Sequence, residues 1–83
     1  MFNIGDKLPF TGANDGTIDG EGRLQSMART RKGQQCEIYV LDDRNKIVDK
    51  RPFTVPQTGR IDTNVTAHKG KRFIILFPFS NRG

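Results

Sequence analysis

The segment RIDTNVTA, residues 60–67, shows the clearest alternation of side chains in the sequence. In an extended backbone, one face carries its apolar or small residues: Ile61, Thr63, Val65 and Ala67. The other face carries its polar residues: Arg60, Asp62, Asn64 and Thr66. Because neighbouring side chains of a strand point to opposite faces, this pattern predicts a β-strand with one face buried and the other in water.

Short runs of strand-forming residues recur along the rest of the chain, separated by turn residues. No run places apolar residues at the roughly 3.6-residue spacing of an amphipathic helix. The further predicted strands are residues 22–30, 35–41, 46–55 and 72–79, with a sixth near residues 6–10. This spacing predicts an all-β fold, a small antiparallel barrel of about five or six strands, SH3-like or OB-like. An OB fold normally carries a helix as well, so an SH3-like or irregular barrel is favoured.

The same alternation assigns faces to the other strands. Leu24, Ser26 and Ala28 are predicted to face inward. Side chains predicted to share one face of their strand are Cys36, Ile38 and Val40, and then Ile47, Phe53 and Val55. Tyr39 shares its face with Glu37, so we expect it to be exposed. Pro52 has no N–H to donate and indicates an edge strand or a bulge. Residues 72–79 are apolar on both faces, which predicts a strand covered on both sides, or one that closes a barrel or a dimer.

The chain length and the distribution of charge describe one domain with two unequal parts. Eighty-three residues suffice for a single small core. Residues 1–22 form an acidic, loop-rich segment whose four acids against one lysine give a net charge of −3. Residues 23–83 form a basic β body whose thirteen Lys or Arg against five Asp or Glu give +8. No internal repeat is apparent. The basic body makes an anionic partner the leading expectation.

The residues needed for catalysis or for metal binding are sparse. Cys36 and His68 are the only cysteine and the only histidine, so no disulfide and no zinc site with recognised spacing can be assembled. Residues 11–22 resemble part of a calcium loop, but Thr11, Ala13 and Gly22 stand where carboxylate or amide ligands are needed. We therefore expect no cofactor, no metal and no enzymatic activity. A free cysteine in an apolar strand, with no leader or membrane-spanning segment, favours a cytoplasmic protein without a membrane partner.

Two basic loops carry the candidate binding residues. ARTRKGQQ, residues 28–35, presents Arg29, Arg31 and Lys32 with no acid nearby. The loop after the strand predicted over residues 60–67 contributes Lys69, Lys71 and Arg72, beside His68. We expect the two loops to lie at one end of the sheet, where Arg60 widens the basic patch and Tyr39 offers a platform for base stacking. The basic loops alone are also explained as solvated hairpin tips that discourage aggregation.

The sequence therefore predicts a small non-catalytic protein that binds DNA or RNA, with single strands favoured. The basic loops would contact phosphates with limited base specificity. The alternative is a protein-interaction module or inhibitor, of the kind found as accessories of mobile elements, that docks on an acidic protein. A homodimer formed through residues 72–79 is compatible with either function.

Overall fold

The strand predictions can be compared with a computed structural model, which describes residues 2–8 and 14–77. Within these ranges the protein is all-β, with two single-turn 3₁₀ helices and no α-helix. The strands are β1 (Asp15–Thr17), β2 (Arg23–Met27), β3 (Gln35–Leu41), β4 (Ile47–Thr54), β5 (Arg60–Asn64) and β6 (Arg72–Leu76). The first 3₁₀ turn (Arg29–Arg31) links β2 to β3, and the second (Thr66–His68) links β5 to β6.

The strands form two antiparallel sheets. Four of them pair in the order β1-β6-β3-β4, while β2 and β5 pair only with each other in a two-stranded ribbon. Strand pairing among the described residues therefore does not form one closed barrel. As the sequence predicts, β6 is a central strand, and β4, which contains Pro52, is an edge strand.

The main hydrophobic core lies between the two sheets. Leu24 and Ile61 of the ribbon pack into one buried cluster with Ile38, Phe73 and Ile75 of the larger sheet. Each such side chain contributes roughly 1.5–3 kcal/mol when it is fully buried. The alternation of small apolar and polar residues therefore dictates which face of the ribbon is buried.

A second, smaller cluster covers the outer face of the four-stranded sheet. It contains Tyr39, Leu41, Ile47 and Ile74, and the N-terminal segment completes it with Leu8 and Phe2. The apolar character of β6 on both faces is thus explained within one chain, because Phe73 and Ile75 face the main core while Ile74 faces this second cluster. The strand needs no dimer partner to cover it.

The two halves of the chain repeat each other. Residues 15–40 correspond to residues 52–77, at a constant offset of 37 positions, although no repeat is apparent in the sequence. The hydrogen bonds repeat as well: Gly33 donates its N–H to the Val55 carbonyl (2.8 Å), and Gly70 donates to the Ile18 carbonyl (2.9 Å). Six positions are identical, at Thr17/Thr54, Gly22/Gly59, Arg23/Arg60, Lys32/Lys69, Gly33/Gly70 and Ile38/Ile75.

A pseudo-twofold axis relates these halves. Ile38 and Ile75 are equivalent residues and are also direct partners between β3 and β6. Gln25 and Asp62 have the same relation in the ribbon. Two equivalent residues can face each other only where the axis passes between them, so the axis crosses both sheets and the core between them.

The halves differ in how they fill the space beside the axis. Gly16 of β1 faces Phe73 of β6, whose ring would lie 2.9 Å from a Cβ added to that glycine. At the equivalent place, Phe53 of β4 faces Cys36 of β3. Each pair therefore matches a small residue with a phenylalanine. The phenylalanine lies on the inner strand β6 in the first pair and on the edge strand β4 in the second, so the two phenylalanines are not at equivalent positions.

Several local predictions are wrong, each for an identifiable reason. Ile47 lies on the opposite face from Phe53, because a β-bulge between Val40 and Leu41 changes the register. Ala67 is exposed, because the backbone enters the second 3₁₀ turn. The acidic N-terminal loop contains β1, which pairs with β6.

Two predicted strands extend beyond the residues that the structure describes. The strand near residues 6–10 is reduced to a single bridge between Lys7 and Lys46, and positions 9 and 10 lie outside the described residues. The final two positions of the strand predicted over residues 72–79 also lie outside them.

Candidate functional site

Each 3₁₀ turn is held against the start of the opposite ribbon strand. The N–H of Ala28 donates to the Gly59 carbonyl at 2.7 Å, and the N–H of Val65 donates to the Gly22 carbonyl at 2.6 Å. The turns then continue into Lys32–Gly33 and Lys69–Gly70, with both glycines at positive φ. The fold thus presents two equivalent basic loops from fixed backbone positions.

These loops lie at opposite ends of the ribbon, and the expectation that they share one end of the sheet is wrong. Each loop precedes a strand, and β3 and β6 run antiparallel, so the starts of the two strands are far apart. Along β3, the six-residue separation of Gln35 from Leu41, the partner of Arg72, corresponds to about 20 Å. The candidate residues therefore form two separate basic clusters.

The first cluster surrounds the end of the ribbon where β2 finishes and β5 begins, which we call the Arg60 end. Met27 pairs with Arg60 across the ribbon, and the Arg29 backbone lies against Gly59. Arg29, Lys32 and Arg60 are all exposed. Arg60 and Met27 border a cleft of about 260 Å³, and 41% of Met27 is accessible to solvent. Cations and an apolar side chain thus occupy one open surface.

Arg31 has a different environment from its neighbours. Its guanidinium carbon lies 4.9 Å from the centre of the Phe77 ring, and its Nη1 donates to Oε1 of Gln34 at 3.4 Å. A guanidinium over an aromatic face is attracted by the electron density of the ring. Arg31 therefore ties the first 3₁₀ turn to the end of β6, and it is half-buried.

The opposite end of the ribbon is neutralised. Arg23, the equivalent of Arg60, donates from Nε to Oδ1 of Asp62 at 3.2 Å and from Nη2 to Oδ2 at 3.4 Å. The equivalent of Asp62 is Gln25, which carries no charge. Within residues 2–8 and 14–77, Arg60 forms no salt bridge. A single departure from the repeat therefore leaves one end of the ribbon with uncompensated positive charge.

The second basic loop borders a larger cleft beside an acidic turn. Lys69, Lys71 and Arg72 line a space of about 380 Å³ together with Asp42 and Asp43. Nη1 of Arg72 donates to Oδ1 of Asn45 at 2.7 Å. This cluster brings three predicted site residues together, but carboxylates face them.

The acidic residues around this loop are themselves hydrogen-bonded. Oδ1 of Asp42 accepts the N–H groups of Lys46 and Arg44, which hold the pKa of that carboxyl below its usual value. Oδ2 of Asp49 accepts from Nε of Arg51 at 3.0 Å and lies 3.1 Å from Nε2 of His68. Burial acts to raise the pKa of Asp49, but these two partners outweigh it and the pKa is lowered. His68 therefore anchors the second turn to β4.

Tyr39 is buried, so the prediction that it is exposed for base stacking is wrong. None of its surface is accessible, its hydroxyl donates to Oε1 of Glu37 at 2.6 Å, and its ring packs edge-on against Phe2 at 6.0 Å. Burial, reinforced by Glu37, raises the pKa of the phenol to about 12. Phe73 is buried as well, and Phe53 packs partly against the main core. Tyr39 and Phe73 therefore offer no open face to a base.

The sequence-based prediction of the site missed two side chains beside Arg60. Gln25 and Met27 border the same cleft, on the outer face of β2. The sequence did indicate their orientation, because the alternation in residues 22–30 predicts that both side chains point outward. No motif marks outward-facing residues of an ordinary strand as a binding surface, so only the register with Arg60 reveals it.

Other classes of site and the comparisons with known proteins give little further guidance. The described residues contain no group of three or more His, Cys, Asp or Glu side chains placed to hold a metal ion. In the same part of the chain, no helix has the length and apolar character required to cross a bilayer. No family model matches the sequence, and neither curated proteins nor solved structures show a significant match to it.

Proposed function

We propose that the protein binds nucleic acid without catalysis, through phosphate contacts made at the Arg60 end of the ribbon. The observation that carries this proposal is the charge difference between the two ends. Asp62 neutralises Arg23, whereas Arg60, near Arg29, has no salt-bridge partner among the described residues. Phosphate groups are the common anionic ligands that such exposed arginines contact through forked hydrogen bonds. The net charge of +8 on residues 23–83 supports the same class of partner.

The proposal has a quantitative consequence for salt dependence. Binding to phosphates releases condensed counterions, so the logarithm of the binding constant falls by about 0.9 per phosphate for each logarithmic unit of salt on duplex DNA. Three contacts, from Arg29, Lys32 and Arg60, would give a slope of about −2.7. Because phosphates are common to all sequences, these contacts position the nucleic acid without specifying its bases.

The prediction that single strands are favoured keeps less support than the binding itself. It rested on exposed aromatic platforms, and Tyr39 and Phe73 are buried.

The barrel also remains a proposal: we propose that the ribbon and the four-stranded sheet are the two walls of an open barrel around the shared core.

The repeat supplies a matched control for testing the site. Fluorescence anisotropy of labelled oligonucleotides, at two salt concentrations, would compare the wild type with R29A/R60A and with R23A. R29A/R60A should bind at least ten-fold more weakly at low salt and show a slope smaller by about two. R23A removes the equivalent but neutralised arginine and should change affinity much less. Equal losses in R23A and R29A/R60A would contradict the assignment of the site to one end.

A protein partner is the second candidate, and the exposure of Met27 is the observation that favours it. An apolar side chain beside cations is also what an acidic protein surface with an apolar centre would bind. If the purified protein carries no nucleic acid and binds no oligonucleotide at low salt, while R60A abolishes capture of a specific acidic protein, this second function replaces the first.

A further inference from the structure

The outer face of the β2–β5 ribbon is a continuous surface of hydrogen-bonding side chains. Its six residues are all exposed and lie opposite one another in three pairs: Arg23 with Asn64, Gln25 with Asp62, and Met27 with Arg60. The inner face of the same ribbon packs Leu24 and Ile61 into the core, which fixes the ribbon rigidly. The outer face therefore presents polar groups from a supported backbone and is larger than phosphate binding alone requires.

We propose that this face reads duplex DNA by lying in the major groove. The inference rests on the proposed function and names the form of nucleic acid that the site takes. The major groove is about 12 Å wide and admits a two-stranded β-ribbon. Strands in the ribbon lie roughly 4.8 Å apart, and a five-residue strand spans about 14 Å, the length of about four base pairs.

The side chains on this face match the chemistry of base edges in that groove. Asn or Gln pairs with N6 and N7 of adenine, and an apolar group contacts the thymine methyl. Gln25 and Asn64 thus match adenine and Met27 matches thymine, while Arg60 contacts phosphate and Asp62 stays paired with Arg23. Lysine-rich surfaces that bind only phosphates have no need of this variety.

The symmetry of the fold also matches a duplex. The pseudo-twofold axis passes between Gln25 and Asp62, through the centre of the ribbon, and a DNA duplex has an approximate dyad relating its antiparallel strands. With the two axes aligned, Lys32 and Lys69 occupy equivalent places at the two ends of the ribbon. Each would then face the phosphates of a different DNA strand. A single strand has no such symmetry to match.

Four labelled probes of the same sequence content test the inference: duplex DNA, single-stranded DNA, duplex RNA, and duplex DNA methylated at guanine N7 in the major groove. Duplex RNA is informative because its major groove is too deep and narrow for side chains to read. Anisotropy titrations with the whole protein should show at least ten-fold tighter binding to unmodified duplex DNA than to the other three probes.

Base reading is tested separately with Q25A and N64A, and with Q35A as a matched control on an exposed glutamine of the other sheet. The wild type would first be used to select preferred duplexes from a randomised pool. The ratio of affinities for selected and unselected duplexes should be roughly 5- to 150-fold smaller for Q25A or N64A than for the wild type. The Q35A protein should select the same sequences as the wild type. Circular dichroism would establish that all three variants fold.

The outcomes separate this inference from the proposed function. If single-stranded DNA or duplex RNA binds as tightly as duplex DNA, or if methylation has no effect, the inference is overturned and phosphate binding stands. Unchanged selection by both Q25A and N64A likewise overturns it. If no probe binds at low salt, the proposed function itself fails.

Discussion

Substitution of Gly22 by alanine should destabilise the protein far more than the same substitution at Gly70. Both glycines adopt positive φ, +85° and +78°, so alanine carries a similar backbone strain at each, roughly 1–2 kcal/mol. The two positions differ in the space available for a side chain. A Cβ at Gly22 would lie 2.5 Å from the backbone Cα of Thr66, whereas a Cβ at Gly70 meets nothing within 4 Å.

The difference between the two variants measures how tightly the second 3₁₀ turn is held. To admit the Cβ, the turn must move away from the ribbon, at an overpacking cost of about 1–3 kcal/mol. The bond from the Val65 N–H to the Gly22 carbonyl, worth roughly 0.5–1.5 kcal/mol, would be weakened as well. G22A should therefore lose about 2–6 kcal/mol in total, a large part of the roughly 4–12 kcal/mol expected for a domain of this size.

Urea unfolding monitored by circular dichroism and by Tyr39 fluorescence would measure these losses. With an m-value of about 1 kcal/mol per molar, the midpoint of G22A should fall at least about 1 M below that of G70A. G59A is the intermediate case, because its Cβ would lie 2.9 Å from the Cα of Arg29, and it remains measurable if G22A fails to fold. Coinciding midpoints for G59A and G70A would refute the close approach of turns and ribbon.

Three further predictions concern charge and burial. D62N releases Arg23, so oligonucleotide affinity at low salt should rise several-fold and the salt slope should steepen by about one; weaker binding would contradict the role of Asp62. The raised pKa of Tyr39, about 12, means that its contribution to stability is fully present below the unfolded pKa and is lost as pH rises towards 12. Ultraviolet titration of the phenol should show ionisation near pH 12 in the native protein and near pH 10 in urea, and coincident curves would contradict the buried position. Burial raises the pKa of the Cys36 thiol to about 11, so a thiol reagent at mildly alkaline pH should label the native protein only as fast as it unfolds, and rapid labelling would show that the core is open.

Alternation predicted the strands well where one face is wet and the other dry. Ile61 in β5 and Val65 directly after it are buried as expected, since each residue there faces either the core or water. The same rule failed at Ile47, because the bulge beside it inserts a residue and reverses the faces. A bulge leaves no mark in the hydrophobic pattern that distinguishes it from a regular strand.

Tertiary contacts decided the features that alternation could not predict. Tyr39 is buried because Phe2 and the N-terminal segment cover it, and nothing in the residues around Tyr39 specifies that cover. Strand β1, with the sequence Asp-Gly-Thr, has little strand propensity of its own and exists through its pairing with β6. The basic loops were located correctly in the chain, but their separation depends on the antiparallel pairing of β3 with β6.

The contrast between the pairs Gly16/Phe73 and Phe53/Cys36 determines which half of the chain can associate with which. Two copies of the first half would face Gly16 with Cys36 and leave a void the size of a phenyl ring. Two copies of the second half would force Phe53 onto Phe73. Only the mixed pairing fills the core, so each half selects the other over a copy of itself. The core therefore disfavours assembly of two like halves, whereas a first half fits a second half equally well whether both belong to one molecule or to two.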